Sequence, residues 1–404
     1  MEKIKVAHPN GVVNAEIKLT ASKSECNRAL IIQALGENNI ELSNISEARD
    51  CQTMIRLLKS EEKTLDVLDA GTTMRFLTAY CTITKRPTIM TGTPRMQERP
   101  IKILVDALRS LGAEIDYLNN DGYPPHEIKS FEQKTDHVKI QGNVSSQYIS
   151  ALLMVAPTLP QGLKLELVGE VASVPYIKMT LQLLSHFGIL HTWEGKVISI
   201  AKQEFKSNNY SIESDWSGAS YWYSIAAFSK EANIKLLGLR ENSLQGDKAI
   251  VEIMEKLGVK STFDETGVLL TKIAKENSFE FDFTHCPDLA QTVAVICAAT
   301  KTPARMKGLE SLRIKETDRI AAIETELKKV GHHVKVIGDS EIIISPAETI
   351  MNQPTIDTYE DHRMAMAFAP LGLLGEVTIE EPSVVNKSYP VYWDHLKVAG
   401  FELE

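Results

Sequence analysis

Little in this chain points to nucleic acid, membrane or metal. Its 44 lysines and arginines are outnumbered by 53 aspartates and glutamates, a formal charge of -9. That balance argues against a general binder of nucleic acid or of acidic membranes. The longest apolar stretch, around residues 364–374, is too short to span a bilayer. Residues 1–6 hold no apolar core of signal-peptide length. The five cysteines (Cys26, Cys51, Cys81, Cys286 and Cys297) form no C-x-x-C pair, so neither a zinc site nor a disulfide framework is expected. They read as reduced, mostly buried thiols of a cytoplasmic protein. His332 and His333 point to opposite faces if their segment is a strand, which speaks against a metal there. No G-x-x-x-x-G-K-[ST] loop occurs. What is present is 404 residues, 43% hydrophobic and 24% charged, enough for two ordinary soluble domains. Any anionic ligand must be held by a local cationic cluster working against the global field.

One kind of helix recurs, a polar cap followed by a run that is apolar nearly all round. The copies open at Ser22, Thr72, Ser145, Ser217, Asp288 and Asp361, and from Thr72 onward the interval is 71–73 residues each time. Such regularity marks an internal repeat. Within each period a second, amphipathic helix stops before a strand-like run. Its terminal glycines, Gly112, Gly188, Gly258, Gly331 and Gly400, stand where left-handed helix ends are expected. The first unit is shorter and lacks this glycine after Leu58-Lys59. Helices apolar on every side belong in a core, and amphipathic ones cover it. Strands are expected at 138–141, 163–167 and 341–344, with a leading strand over 4–17. The reading is an α/β chain of six α+β units, three per domain, breaking near 211–215.

The helix starts carry the chemistry. Ser22-Lys23-Ser24 with Arg28, Gly71-Thr72 with Arg75, and Ser145-Ser146-Gln147 open the first three buried helices. Asp215 with Ser217, Asp288, and Asp361-His362-Arg363 open the others. Hydroxyls, amides and cations beside unpaired backbone N–H groups suit phosphate-bearing ligands. Asp288, opening a helix with no further charge until Lys301, is expected to serve at least as an N-cap. In the run Lys315-Glu316-Thr317-Asp318-Arg319, the apolar stripe Ile320, Ile323, Leu327 and Val330 extends back one turn onto Glu316 and Arg319. The stripe predicts a helix start with a carboxylate set among cations. Cations outnumber well-placed carboxylates, Asp288 and Glu316, which suits polyanionic substrates and acid/base chemistry without metal.

The motifs SKSxxxR, AGTxMR, TGTPRMQERP, SSQY, SVPY, RIKETDR, DHRMAMAF and NKSYP occur in this order along the whole chain. Together they resemble the 5-enolpyruvylshikimate-3-phosphate synthases of the enolpyruvyl transferase family. The relatives that act on UDP-N-acetylglucosamine share the architecture but carry a cysteine in the loop that here spans 91–100 without one. They rank second, and a non-catalytic anion-binding homologue is a further alternative. The resemblance implies two domains of three βαβαββ units with pseudo-threefold symmetry, 1–20 plus 214–404 and 21–213, and a site in the cleft between them. It implies enolpyruvyl transfer from phosphoenolpyruvate to the 5-hydroxyl of shikimate-3-phosphate, a step toward chorismate and aromatic amino acids, by a cytoplasmic monomer without cofactor.

By the same resemblance Lys23, Gly71, Arg95, Gln147, Arg319, Arg363 and Lys387 would hold phosphoenolpyruvate. Lys23, Ser24, Arg28, Ser145, Ser146, Gln147, Ser173, Tyr176, Asp288, Ser311 and Lys315 would hold shikimate-3-phosphate. Catalysis would fall to Glu316, Asp288, Lys315 and Lys23. Three residues depart from the family's habit: Asp69 and Ser311 stand where asparagine is common, and Phe76 where proline is common.

Overall fold

The computed structural model describes residues 2–36, 40–143, 145–347 and 353–404. Contacts divide the chain into two compact units, Met1–Ser22 with Glu213–Glu404, and Lys23–Ile212.

The unit Lys23–Ile212 holds α1 (Lys23–Leu35), α2 (Arg49–Lys59), α3 (Gly71–Ile83), α4 (Pro94–Gln97), α5 (Lys102–Leu111), α6 (Ser146–Val155) and α7 (Val174–His186). Helices α1, α3 and α6 lie in its core; every residue of α6 except Gln147 is buried, as a helix apolar all round requires. Helix α5 instead buries only Leu104, Val105, Ala107, Leu108 and Leu111, one face of an amphipathic cover. It ends at Gly112 with φ 115°, where a Cβ would stand 1.9 Å from the Glu132 carbonyl oxygen. Two four-stranded sheets, each mixing parallel and antiparallel pairs, flank the helices. The shortened first repeat supplies only a two-stranded sheet, Ile40–Ser43 paired in parallel with Asn208–Ser211.

The other unit holds α8 (Trp216–Phe228), α9 (Ile250–Lys256), α10 (Ala290–Ala299), α11 (Arg319–Lys329), α12 (His362–Phe368) and α13 (Tyr392–Val398). Its core helices are α8, α10 and α12; Ala290 to Ala298 of α10 are all buried. Three four-stranded sheets surround them. The single leading strand expected over 4–17 is in fact two. Lys3–Ala7 pairs with Val377–Glu380 and Glu402–Leu403, while Val12–Lys18 runs parallel to Glu231–Leu237 in another sheet. The turn through Pro9 and Gly11 (φ 73°) parts them, since proline cannot donate to a ladder and only glycine takes that φ freely.

Helix α11 also differs from expectation. It begins at Arg319, where the side chain of Asp318 accepts the N–H of Ala321 at 3.1 Å. Lys315, Glu316 and Thr317 lie in the bend before it. A well-formed aspartate cap stops the helix there, so the stripe cannot be extended backwards through Glu316. Among the described residues no helix is long and apolar enough to cross a membrane. All five cysteines are buried and unbridged.

Candidate active site

In the unit Lys23–Ile212 the starts of α1, α2, α3 and α6 meet. The Lys23 ammonium lies 3.1 Å from Asp50 at the start of α2. Thr73 donates to the Asp50 carbonyl at 3.4 Å, and Gln147 Nε2 donates to Thr72 Oγ1 at 3.1 Å. Ser145 caps α6 by accepting the N–H of Gln147, and Ser146 is buried behind it. Ser24 is the second residue of α1, and its carbonyl accepts from Arg28.

Arg28 is buried to 2% exposure. Its guanidinium donates to Thr180 Oγ1, the Ser24 carbonyl and Ser150 Oγ, and lies over the rings of Phe76 and Tyr176. Burial lowers its pKa to about 10, so it stays charged at neutral pH. Phe76 thus packs beneath the Arg28 cation. Ser173, before α7, holds a left-handed backbone (φ 53°), a costly conformation for a residue other than glycine. Arg95 stands at the surface, paired with Glu98 at 2.9 Å. Asp69, one of the departures noted above, is paired with Arg49 at 2.8 Å. This chain therefore supplies a cation beside its additional carboxylate.

The other unit gathers charge more tightly. Arg319, 1% exposed, donates from Nε to Asp361 at 2.7 Å, from Nη1 to Asp288 at 3.0 Å and from Nη2 to Glu316 at 2.9 Å. Burial alone would lower its pKa, but these three carboxylates outweigh that and raise it. Arg363 donates to the other oxygen of Asp288 at 2.9 Å, and Lys315 lies 3.5 Å from Asp288. Lys387, 2% exposed, lies 3.8 Å from Glu316. Ser311 is in the 3-10 turn Glu310–Ile314 that leads into this cluster.

Asp288 is not the N-cap of α10. It lies in the preceding 3-10 turn Pro287–Leu289, and its carboxylate answers three cations instead of the helix. Burial would push its carboxyl up, but Arg363, Lys315 and Arg319 hold it well below the usual carboxylate range.

Four residues outside the expected substrate and catalytic sets take part. Asp361, read with His362 and Arg363 as the charged opening of a buried helix, does cap α12 by accepting the Arg363 N–H at 2.9 Å, and it also anchors Arg319. Asp247 accepts from Ser217 Oγ, and Arg363 Nη2 reaches the same hydroxyl at 3.4 Å. The cations therefore do not outnumber the carboxylates in this unit. Asp50 and Arg49 are the other two. Besides Asp361, only Arg49-Asp50 left a trace in the sequence, as charges at the start of an amphipathic helix.

Burial, and next the charge of Asp288, push the Asp247 carboxyl up to about 6. Between the unfolded value near 4 and the folded value near 6, the folded chain binds the extra proton, so this group's contribution to stability falls as pH rises. Asp247→Asn should therefore gain on the parent protein as pH climbs from about 4 to about 6, by up to about 3 kcal/mol. Melting curves of both proteins across that range measure it; a constant gap would refute it.

With this geometry in place, comparison with known proteins decides the family. A sequence model described as EPSP synthase (3-phosphoshikimate 1-carboxyvinyltransferase) matches residues 7–60 and 56–396. The chain belongs to the EPSP synthase family. A 3-phosphoshikimate 1-carboxyvinyltransferase of Bacteroides fragilis (strain YCH46) is 49% identical over 397 residues, 97% of each chain. One from Sulfurovum sp. (strain NBC37-1) is 36% identical over 419 aligned positions, covering 96% of this chain and 97% of that one. An EPSP synthase structure from Acinetobacter baumannii matches this member of the family with TM-score 0.80 at 20% identity, over the full length of both chains. The enolpyruvyl transferase NikO from Streptomyces tendae matches with TM-score 0.76 at 12% identity, covering 100% of this chain and 98% of that one. At those identities the likeness speaks for the fold alone.

Proposed function

We propose that the protein is a working 3-phosphoshikimate 1-carboxyvinyltransferase, acting as a cytoplasmic monomer. The observation that carries this reading is the cluster of Asp288, Lys315, Glu316, Arg319, Arg363 and Lys387, in which carboxylates able to move protons are set among buried cations able to hold anions. The reaction joins shikimate-3-phosphate and phosphoenolpyruvate and releases inorganic phosphate. A proton goes to the methylene carbon of phosphoenolpyruvate, the 5-hydroxyl oxygen bonds to its C2, and the hydroxyl proton is lost. Removal of a proton from the new methyl group then expels phosphate as the C2–O bond breaks.

Glu316 delivers the first of these protons to the methylene and later takes one from the methyl. Asp288, with Lys315 beside it, accepts the hydroxyl proton as a coupled pair. In the ligand-free protein the cations hold Asp288 ionised. Phosphate and carboxylate groups that draw Arg363 and Lys315 toward themselves return proton affinity to it. Arg95, Arg319, Arg363 and Lys387, with Lys23, Gly71 and Gln147, hold phosphoenolpyruvate and the charge that grows on its departing phosphate. Ser24, Arg28, Ser145, Ser146, Ser173, Tyr176 and Ser311, with Lys23, Gln147, Asp288 and Lys315, hold shikimate-3-phosphate. Phosphate release by the purified protein tests the proposal. Release is expected only with both substrates present; none with both, or equal release without shikimate-3-phosphate, refutes it.

A further inference from the structure

Arg99 is 8% exposed, yet its guanidinium has no hydrogen bond or ion pair among the described residues, and its Nε is fully buried without an acceptor. Other buried cations of this chain do have partners: Arg28 bonds Ser150 and Thr180, and Arg319 bonds three carboxylates. Its Nη atoms keep access to solvent, but a guanidinium so nearly enclosed without a counter-charge is costly, so a partner from outside the chain is its natural complement.

The surroundings of Arg99 say what that partner is. A Cβ built on Gly71 would stand 2.7 Å from Arg99 Nη1, 2.8 Å from Nη2 and 2.9 Å from the guanidinium carbon. Gly71 is the first residue of the thirteen-residue helix α3, whose N-cap, Ala70, has no side chain able to satisfy the opening N–H groups. The guanidinium of Arg99 therefore lies against the positive end of α3, where both favour an anion. Gly71 does not have the left-handed φ that would call for glycine on backbone grounds, so its missing side chain makes room for the guanidinium itself.

The neighbouring cation is already committed. Arg75 Nη1 donates to the Gly71 carbonyl at 3.0 Å and Nη2 to the Pro100 carbonyl at 2.9 Å, which fastens the 94–100 turn to α3. Gln147 donates to Thr72 in the same first turn of α3 at 3.1 Å.

We infer that Arg99 is a ligand-binding residue, which with the first turn of α3 seats the phosphoryl group of phosphoenolpyruvate. The identity of that ligand rests on the carboxyvinyl-transfer reading; the seat for a tetrahedral oxyanion does not. Two variants test it. Arg99→Gln removes the charge, and Gly71→Ala leaves Arg99 in place but displaces its flexible tip. In both, KM for phosphoenolpyruvate should rise about tenfold to hundredfold, the loss of one charge-assisted contact, while KM for shikimate-3-phosphate moves less than about twofold.

Without ligand, Arg99→Gln should melt at a higher temperature than the parent, because a buried unpaired charge is gone. Inorganic phosphate should raise the parent's melting temperature more than the variant's. Unchanged KM for phosphoenolpyruvate in both variants, or a lower ligand-free melting temperature with an undiminished phosphate response in Arg99→Gln, would overturn the assignment. If the parent turns over no substrate, the transferase reading fails, and the phosphate-dependent melting shift still judges the seat.

Discussion

Replacing Glu316 by glutamine is expected to lower kcat about 10²–10⁴-fold, the usual worth of one positioned proton carrier, while shikimate-3-phosphate still binds. The amide is nearly isosteric with the carboxylate. Its oxygen can go on accepting from Arg319 Nη2, which stands 2.9 Å from Glu316 Oε2, so the fork that joins Arg319 to Asp361 and Asp288 stays intact. What disappears is the ability to give and take a proton, and one negative charge beside Lys387. Both reaction steps lose by that change, because the same group protonates the methylene and deprotonates the methyl. Phosphate release under saturating substrates measures the loss, and calorimetry with shikimate-3-phosphate alone measures the binding. Undiminished turnover would remove Glu316 from its role.

Arg319→Met should be the more damaging change to the protein as a whole. Arg319 holds Asp361, whose side chain has no exposure, together with Asp288 and Glu316. Removing one partner of a buried ionic network strands the others, a cost of about 3–5 kcal/mol, and turnover should vanish with it. The sign of the pH dependence separates this cause from simple loss of packing. Without their cation the stranded carboxylates take up protons more readily when folded than when unfolded, so the deficit is largest near neutral pH and shrinks toward pH 4. Adding Asp361→Asn should restore part of the lost melting temperature, as coupled neighbours do. An equal deficit at both pH values, with no rescue, would show that Arg319 contributes by packing alone.

The six buried helices were legible because burial on all sides leaves an unmistakable run, such as Ala290 to Ala298, and because repetition multiplied the signal. The C-terminal glycines were legible for a local reason, since Gly112, Gly188, Gly258, Gly331 and Gly400 all have positive φ. The leading segment was misread because a period-two pattern does not reveal that Pro9 and Gly11 divide it between two sheets. The backward extension of α11 failed because an apolar stripe is blind to a side-chain cap, here Asp318. Asp247 left no trace at all. It lies in a 3-10 turn, Gly246–Ala249, where no periodicity reports which side chain is buried.

By itself the sequence determined the repeat, the core helices, the family's motifs and the residue types gathered at the helix starts. All of these follow from local spacing and hydrophobic period, which neighbours along the chain enforce. Only the tertiary structure decided which charges meet. Arg319 bonds Asp361 across 42 residues and Arg363 bonds Asp288 across 75, while Arg99, against Gly71, has no counter-charge among the described residues. Pairing energies depend on distance and burial in space, and neither is written in the order of the residues.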